Sequence, residues 1–139
     1  MTVQSPPAVA LLSFDPITTA VTASTSSAVN LGRVEALTLE FIFLYGSGGT
    51  TFAAYVQTSF DNGTTWVDIA QFSGTTSALT RGYHLVSSAA VTTAQAVTDG
   101  TMTANTSLSG FLGPLFRVKY TTTGTYAGAS SLYVWAYAK

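Results

Sequence analysis

Val56-Gln57-Thr58-Ser59-Phe60-Asp61-Asn62-Gly63-Thr64-Thr65-Trp66-Val67-Asp68-Ile69-Ala70 reads as strand, tight turn, strand. Asn and Gly tolerate the positive φ that a short hairpin turn demands, and the flanking runs are rich in β-branched and aromatic residues. The hairpin is therefore expected to join residues 52–60 to 64–72 through Asp61-Asn62-Gly63. Working outward, no long segment has helical periodicity. Short β-prone runs alternate with Gly, Asn, Asp and Ser, the pattern of an antiparallel β-sandwich. Strands are expected near 17–22, 34–45, 51–60, 64–72, 79–86, 114–123 and 129–138, about seven or eight in all. Strand count does not choose between a jelly-roll and an immunoglobulin-like order.

A second hairpin is expected where residues 115–122 meet 130–138 through Gly124-Thr125-Tyr126-Ala127-Gly128. Its first arm alternates, with Phe116, Val118 and Tyr120 on one face and Arg117, Lys119 and Thr121 on the other. The last strand is apolar on both faces: Leu132, Val134, Ala136 and Ala138 against Tyr133, Trp135 and Tyr137. Either it lies between two layers, or Tyr133, Trp135 and Tyr137 form an exposed interface stripe. Leu37, Leu39, Phe41, Phe43 and Tyr45 against Ile42 and Leu44 pose the same choice. Residues 1–15, with Pro6-Pro7, read as an extended arm before one domain at 16–139. Residues 87–113 turn to small polar residues, a long loop of the kind that is functional or ordered by a partner, or that hides a short strand near 101–103.

Of the 139 residues, 47% are apolar and mean hydropathy is +0.35, ample for a core. Charged residues are only 8%, against roughly 25% in ordinary soluble proteins. A surface with so little charge repels its neighbours weakly, and a homo-oligomer or larger assembly is expected, with a trimer as one form. Net charge is −1, and Arg33, Arg81, Arg117, Lys119 and Lys139 form no block, so no nucleic-acid partner is expected. The N-terminus has no basic segment followed by an apolar one, and the longest apolar run is too short to cross a bilayer; no leader and no membrane contact are expected.

The residues offer little chemistry. Without Cys, thiolate zinc sites and a Cys nucleophile are excluded. His84 is the single histidine, in a strand, and no Ser sits in a nucleophile-elbow pattern. The acids are Asp15, Glu35, Glu40, Asp61, Asp68 and Asp99. Asp61 is explained by its turn and Asp68 by solvent exposure, and no run of acids suits calcium. Gly46-Ser47-Gly48-Gly49 lacks the Lys and helix of a phosphate loop. No enzyme, cofactor or metal is expected.

Ser59, Asp61, Gly63, Thr65 and Trp66 fit Ser-x-Asp-x-Gly-x-Thr-Trp, which resembles the Asp-box hairpin of sialidase-like propellers. A propeller repeats its unit, whereas this motif occurs once, so a structural turn is the expectation: Asp caps the turn, Gly takes the left-handed position and Trp packs across.

Three further segments extend the comparison. Residues 56–70, Asp99-Gly100-Thr101 with Asn105-Thr106, and 117–128, together with Leu31-Gly32-Arg33, resemble a group of small structural proteins of tailed phages and prophages. The resemblance implies a virion component, of which a capsid decoration (cement) protein bound to the major capsid protein is the leading form. A tail, neck or fibre component is its near alternative. A carbohydrate-binding module with Trp66, Trp135, Tyr133 and Tyr137 as stacking platforms is the alternative from another class; burial of both Trp residues would remove it.

Overall fold

The computed structural model describes residues 8–17 and 24–139. Seven strands of eight or nine residues carry the fold: β1 (Ala8–Pro16), β4 (Ala36–Leu44), β6 (Thr51–Ser59), β7 (Val67–Gly74), β8 (Leu79–Val86), β9 (Leu115–Thr123) and β11 (Ser131–Ala138). Four two-residue strands complete it: β2 (Ser24–Thr25), β3 (Val29–Asn30), β5 (Ser47–Gly48) and β10 (Tyr126–Ala127). Sheet A has the order β1-β11-β4-β8, and sheet B runs β2-β9-β6-β7 with β3 also on β9. All pairings are antiparallel.

With β2 and β3 taken as one interrupted strand, eight strands result. The first, eighth, third and sixth form sheet A; the second, seventh, fourth and fifth form sheet B. Consecutive strands alternate between the two sheets except for the fourth and fifth, which pair as a hairpin in sheet B, and that is the jelly-roll order. It settles the choice that strand count left open.

The core lies between the sheets. Leu37, Leu39, Phe41 and Phe43 of β4 and Leu132, Val134 and Ala136 of β11 face Phe52, Ala54, Val56, Phe72, Phe116 and Val118. Phe43 and Phe52 rings stand 4.2 Å apart, and Phe41 and Phe72 5.1 Å. Each such side chain contributes about 1.5–3 kcal/mol by leaving water.

Several expectations need correction. The second hairpin does not form: β9 lies in sheet B and β11 in sheet A, so the two strands never pair. Their linker crosses between layers instead. Within it β10 pairs with β5, and buried Tyr126 closes the end of the core, edge-on to Phe43, with its hydroxyl donating to the Thr75 carbonyl at 2.7 Å. Hairpin and crossover linkers have similar lengths and the same Gly-rich composition, so spacing alone does not separate them. Of the expected arm, Ala8 onward is not an arm but the edge strand β1, held along β11 from Ala8↔Ala138 to Pro16↔Ser131; residues 1–7 lie outside the described residues. Of the strand expected at 17–22, residues 18–22 also lie outside the described residues; Ile17 is buried and its amide donates to the Ser130 carbonyl.

Candidate interaction face

Sheet A has one covered face and one open one. Along β11 the even-numbered residues Leu132 to Ala138 turn into the core, so Tyr133, Trp135 and Tyr137 must stand on the other side, successive rings about 6.5–7 Å apart along the strand. Trp135 is 39% exposed and Tyr137 42%; Tyr133 is half-buried. The two readings of the last strand thus divide by face: core on one, exposed aromatic stripe on the other. On β4 the same split puts half-buried Ile42 and exposed Leu44 outside.

Pairing builds rows across this face. Tyr133 adjoins Ile42 and then Thr80, Trp135 adjoins Glu40 and Gly82, and Tyr137 adjoins Thr38 and His84. Gly82 offers no side chain beside Glu40, so the middle row falls away next to the indole. Thr38, Glu40, Trp135, Ala136 and Tyr137 line a hollow of about 330 Å³. His84 Nδ1 and Thr38 Oγ1 lie 2.9 Å apart, so the imidazole is tied to its neighbour on the sheet. Among the described residues the face offers the exposed Trp135 and Tyr137 rings, half-buried Tyr133, aliphatic carbons and one carboxylate, Glu40.

The predicted hairpin motif forms and acts as a turn. Ser59 Oγ accepts the Gly63 amide at 2.8 Å and donates to Asp61 Oδ1 at 2.9 Å. Asp61 Oδ1 accepts the Thr65 amide at 2.8 Å, and Oδ2 accepts the Thr65 hydroxyl at 2.6 Å. The Thr65 bonds, side chain first, hold the Asp61 carboxyl at about 2, against 3.8 ordinarily. Asn62 and Gly63 take φ of 59° and 90°. Trp66 Nε1 donates to the Gly63 carbonyl at 3.2 Å, and the ring is capped by the Arg117 guanidinium at 4.4 Å. Trp66 is half-buried beneath that cation, and neither Trp is fully buried.

Asp68 overturns its expectation. It is only 2% exposed, and it organises the long loop rather than meeting solvent. Its carboxylate accepts Gln57 Nε2 at 2.8 Å, Thr98 Oγ1 at 2.7 Å, and the amides of Gly100, Thr101 and Met102. Gln71 Oε1 likewise accepts the Asn105 amide, and Leu108 N donates to Ile69 O beside a Ser107↔Ala70 bridge. Loop 87–113 is therefore ordered by the domain itself, laid over sheet B and along the β7 edge. Pairing is at 107, not at the short strand expected near 101–103. Arg117 and Lys119 do not face solvent freely either: Lys119 Nζ reaches Asp99 Oδ1 at 3.1 Å, and Arg117 Nε donates to Gln57 Oε1 at 2.7 Å. Burial pushes the Asp99 carboxyl up, and bonds from Gln57 and Lys119 with both cations outweigh it, so the net direction is down.

Strand parity alone misplaces Asp68. Phe72, Ala70 and Asp68 share one face of an unbroken strand, which would drive the carboxylate into the core. A bulge after Val56↔Ala70, with Gln57 next meeting Asp68, gives Ile69 to the core and turns Asp68 outward under the loop.

Among the described residues no group of three His, Cys, Asp or Glu is placed to hold a metal ion, and no helix is long and apolar enough to cross a membrane. No protein-family model matches the chain, and no curated protein matches it. A solved structure titled "CBM4 structure and function" is similar at 10% identity with a TM-score of 0.45, over 87% of this chain and 64% of that one. This chain thus spans under two thirds of that structure's length.

Proposed function

We propose that the chain is a non-catalytic structural component of a tailed-phage particle, a decoration protein that docks on the capsid through the outer face of sheet A. The observation that carries the docking is that two large exposed aromatics, Trp135 and Tyr137, share one sheet face with half-buried Ile42 and exposed Leu44. Single exposed apolar residues need no explanation, whereas a cluster of them on a face with little charge marks an interaction surface. Among the described side chains Glu40 is the one charge there, so binding free energy comes from apolar area, at about 25 cal/mol per Å² before the cost of association. The virion setting is supported by the resemblance of segments 56–70, 99–106 and 117–128 to small phage structural proteins. A jelly roll suits such a role by analogy only, since the same fold serves lectins.

The test is attachment. Particles carrying the protein are washed in about 1 M NaCl, where the Debye length is about 3 Å, and imaged by cryo-EM. Regular copies on the capsid lattice that survive the wash are expected, with Trp135→Ala and Tyr137→Ala protein lost from it. Density restricted to neck, tail or fibres moves the protein there, and salt release refutes apolar docking.

Carbohydrate binding is the second reading, favoured by the hollow in which Glu40 and Thr38 flank the Trp135 and Tyr137 rings. Titration of soluble oligosaccharides against Trp135 fluorescence decides it; a saturable change lost in Glu40→Gln supports sugar recognition.

A further inference from the structure

A second surface lies away from the aromatic face. Arg33, Val34, Glu35, Phe60, Leu112 and Pro114 are among the residues lining an open groove of about 870 Å³ at one end of the sandwich. Phe60 is 57% exposed beside it, the most exposed large apolar side chain among the described residues. The turn motif makes no use of Phe60: the bonds of that turn run through Ser59, Asp61 and Thr65. Arg33 and Glu35 are exposed on either side of buried Val34. Among the described residues both ion pairs belong to Asp99, so Arg33 and Glu35 are opposite charges without ion-pair partners. Glu35 is presented rigidly, its amide bonded to the Lys139 carbonyl and its carbonyl accepting the Ser87 amide.

We infer that this groove is the two-fold interface with a second copy of the chain. A two-fold contact brings the same patch to itself and must be self-complementary. One residue apart from buried Val34 on each side, Arg33 meets the other copy's acid and Glu35 its base, so one rotation satisfies four charges. Phe60 of each copy lies against the apolar wall formed by Leu112 and Pro114 of the other. A partner of any other chemistry would need its own matching pair of charges; a second copy has it by symmetry. Apolar burial of Phe60 supplies affinity and the charges set the register. The outer face of sheet A stays free, so this pairing and capsid docking are independent. A dimer replaces the trimer that composition allowed.

Sedimentation equilibrium of the full chain across the micromolar range tests this. A monomer–dimer equilibrium is expected. Arg33→Glu and Glu35→Arg, each bringing like charges together, weaken it by about tenfold or more. The double variant Arg33→Glu/Glu35→Arg restores it to within a few-fold, and Phe60→Ser weakens it without lowering Tm. Rescue by charge exchange is a readout that a fold defect does not produce. A monomer throughout, a trimer, or a double variant no better than the singles overturns the inference. So does a dimer lost in Trp135→Ala but kept in Phe60→Ser.

Discussion

Replacing Asp68 with Asn removes one charge and changes almost no volume, yet it should release the long loop. Four donors converge on Oδ2: the Thr98 hydroxyl at 2.7 Å and the amides of Gly100, Thr101 and Met102 at 2.7, 3.1 and 3.2 Å. Asn retains one oxygen, best placed there. Its NH₂ then faces Gln57 Nε2, another donor, and displaces the second arm of the Gly100 amide, which also reaches Oδ1 at 2.9 Å. Gln57 cannot simply turn over, because Oε1 accepts from Arg117 Nε at 2.7 Å and Nε2 also donates to Asp99 Oδ1 at 2.6 Å. Bonds to a charged acceptor are worth about 1.5–3 kcal/mol each and neutral ones about 0.5–1.5. Weakening four and losing one, offset by the smaller desolvation cost of an amide, leaves a destabilisation of about 3 kcal/mol. That is a large part of the roughly 5–15 kcal/mol available to a domain. Urea unfolding measures it, and hydrogen exchange locates it: protection at Gly100, Thr101 and Met102 should fall before that of β4 and β11. A loss under about 1 kcal/mol, or unchanged exchange at those three amides, refutes the hub.

Phe43→Ala should cost about 3–5 kcal/mol because the ring packs against Phe52 and Tyr126, whereas Trp135→Ala on the open face of the same sheet should change thermal stability little; equal losses in urea unfolding would contradict the assignment of faces. Gly46→Ala should abolish or severely weaken folding, since a Cβ would sit 1.7 Å from the Gly128 carbonyl oxygen, while Gly32→Ala meets nothing within 4 Å and costs only its positive φ, about 1 kcal/mol; soluble yield and Tm distinguish the two. Because Asp61 is depressed from 3.8 to about 2 on folding, its contribution is complete above about pH 4 and disappears as pH falls towards 2; Asp61→Asn should flatten that part of the Tm–pH curve, and an unchanged slope would show that the turn does not depend on the charge.

Local features were legible in the order of residues. Alternation placed Phe116, Val118 and Tyr120 on one face, Ser59, Asp61, Gly63, Thr65 and Trp66 specified their turn, and strand positions follow because side-chain period and turn chemistry act over a few residues. The aromatic stripe was legible too, as Tyr133, Trp135 and Tyr137 on one parity. Which parity faces the core, however, depends on which sheet the strand joins. Only the tertiary structure decided that β9 and β11 part into different sheets, that β1 rather than an arm begins the fold, and that Asp68 serves the loop instead of solvent. These outcomes share one physical cause. Strand partnership is a competition among distant edges, settled by the total area and hydrogen bonds that the whole jelly roll buries. One bulge at Ile69 is enough to reverse the facing of everything beyond it, and a buried acid draws its donors from residues thirty positions away that no short window contains.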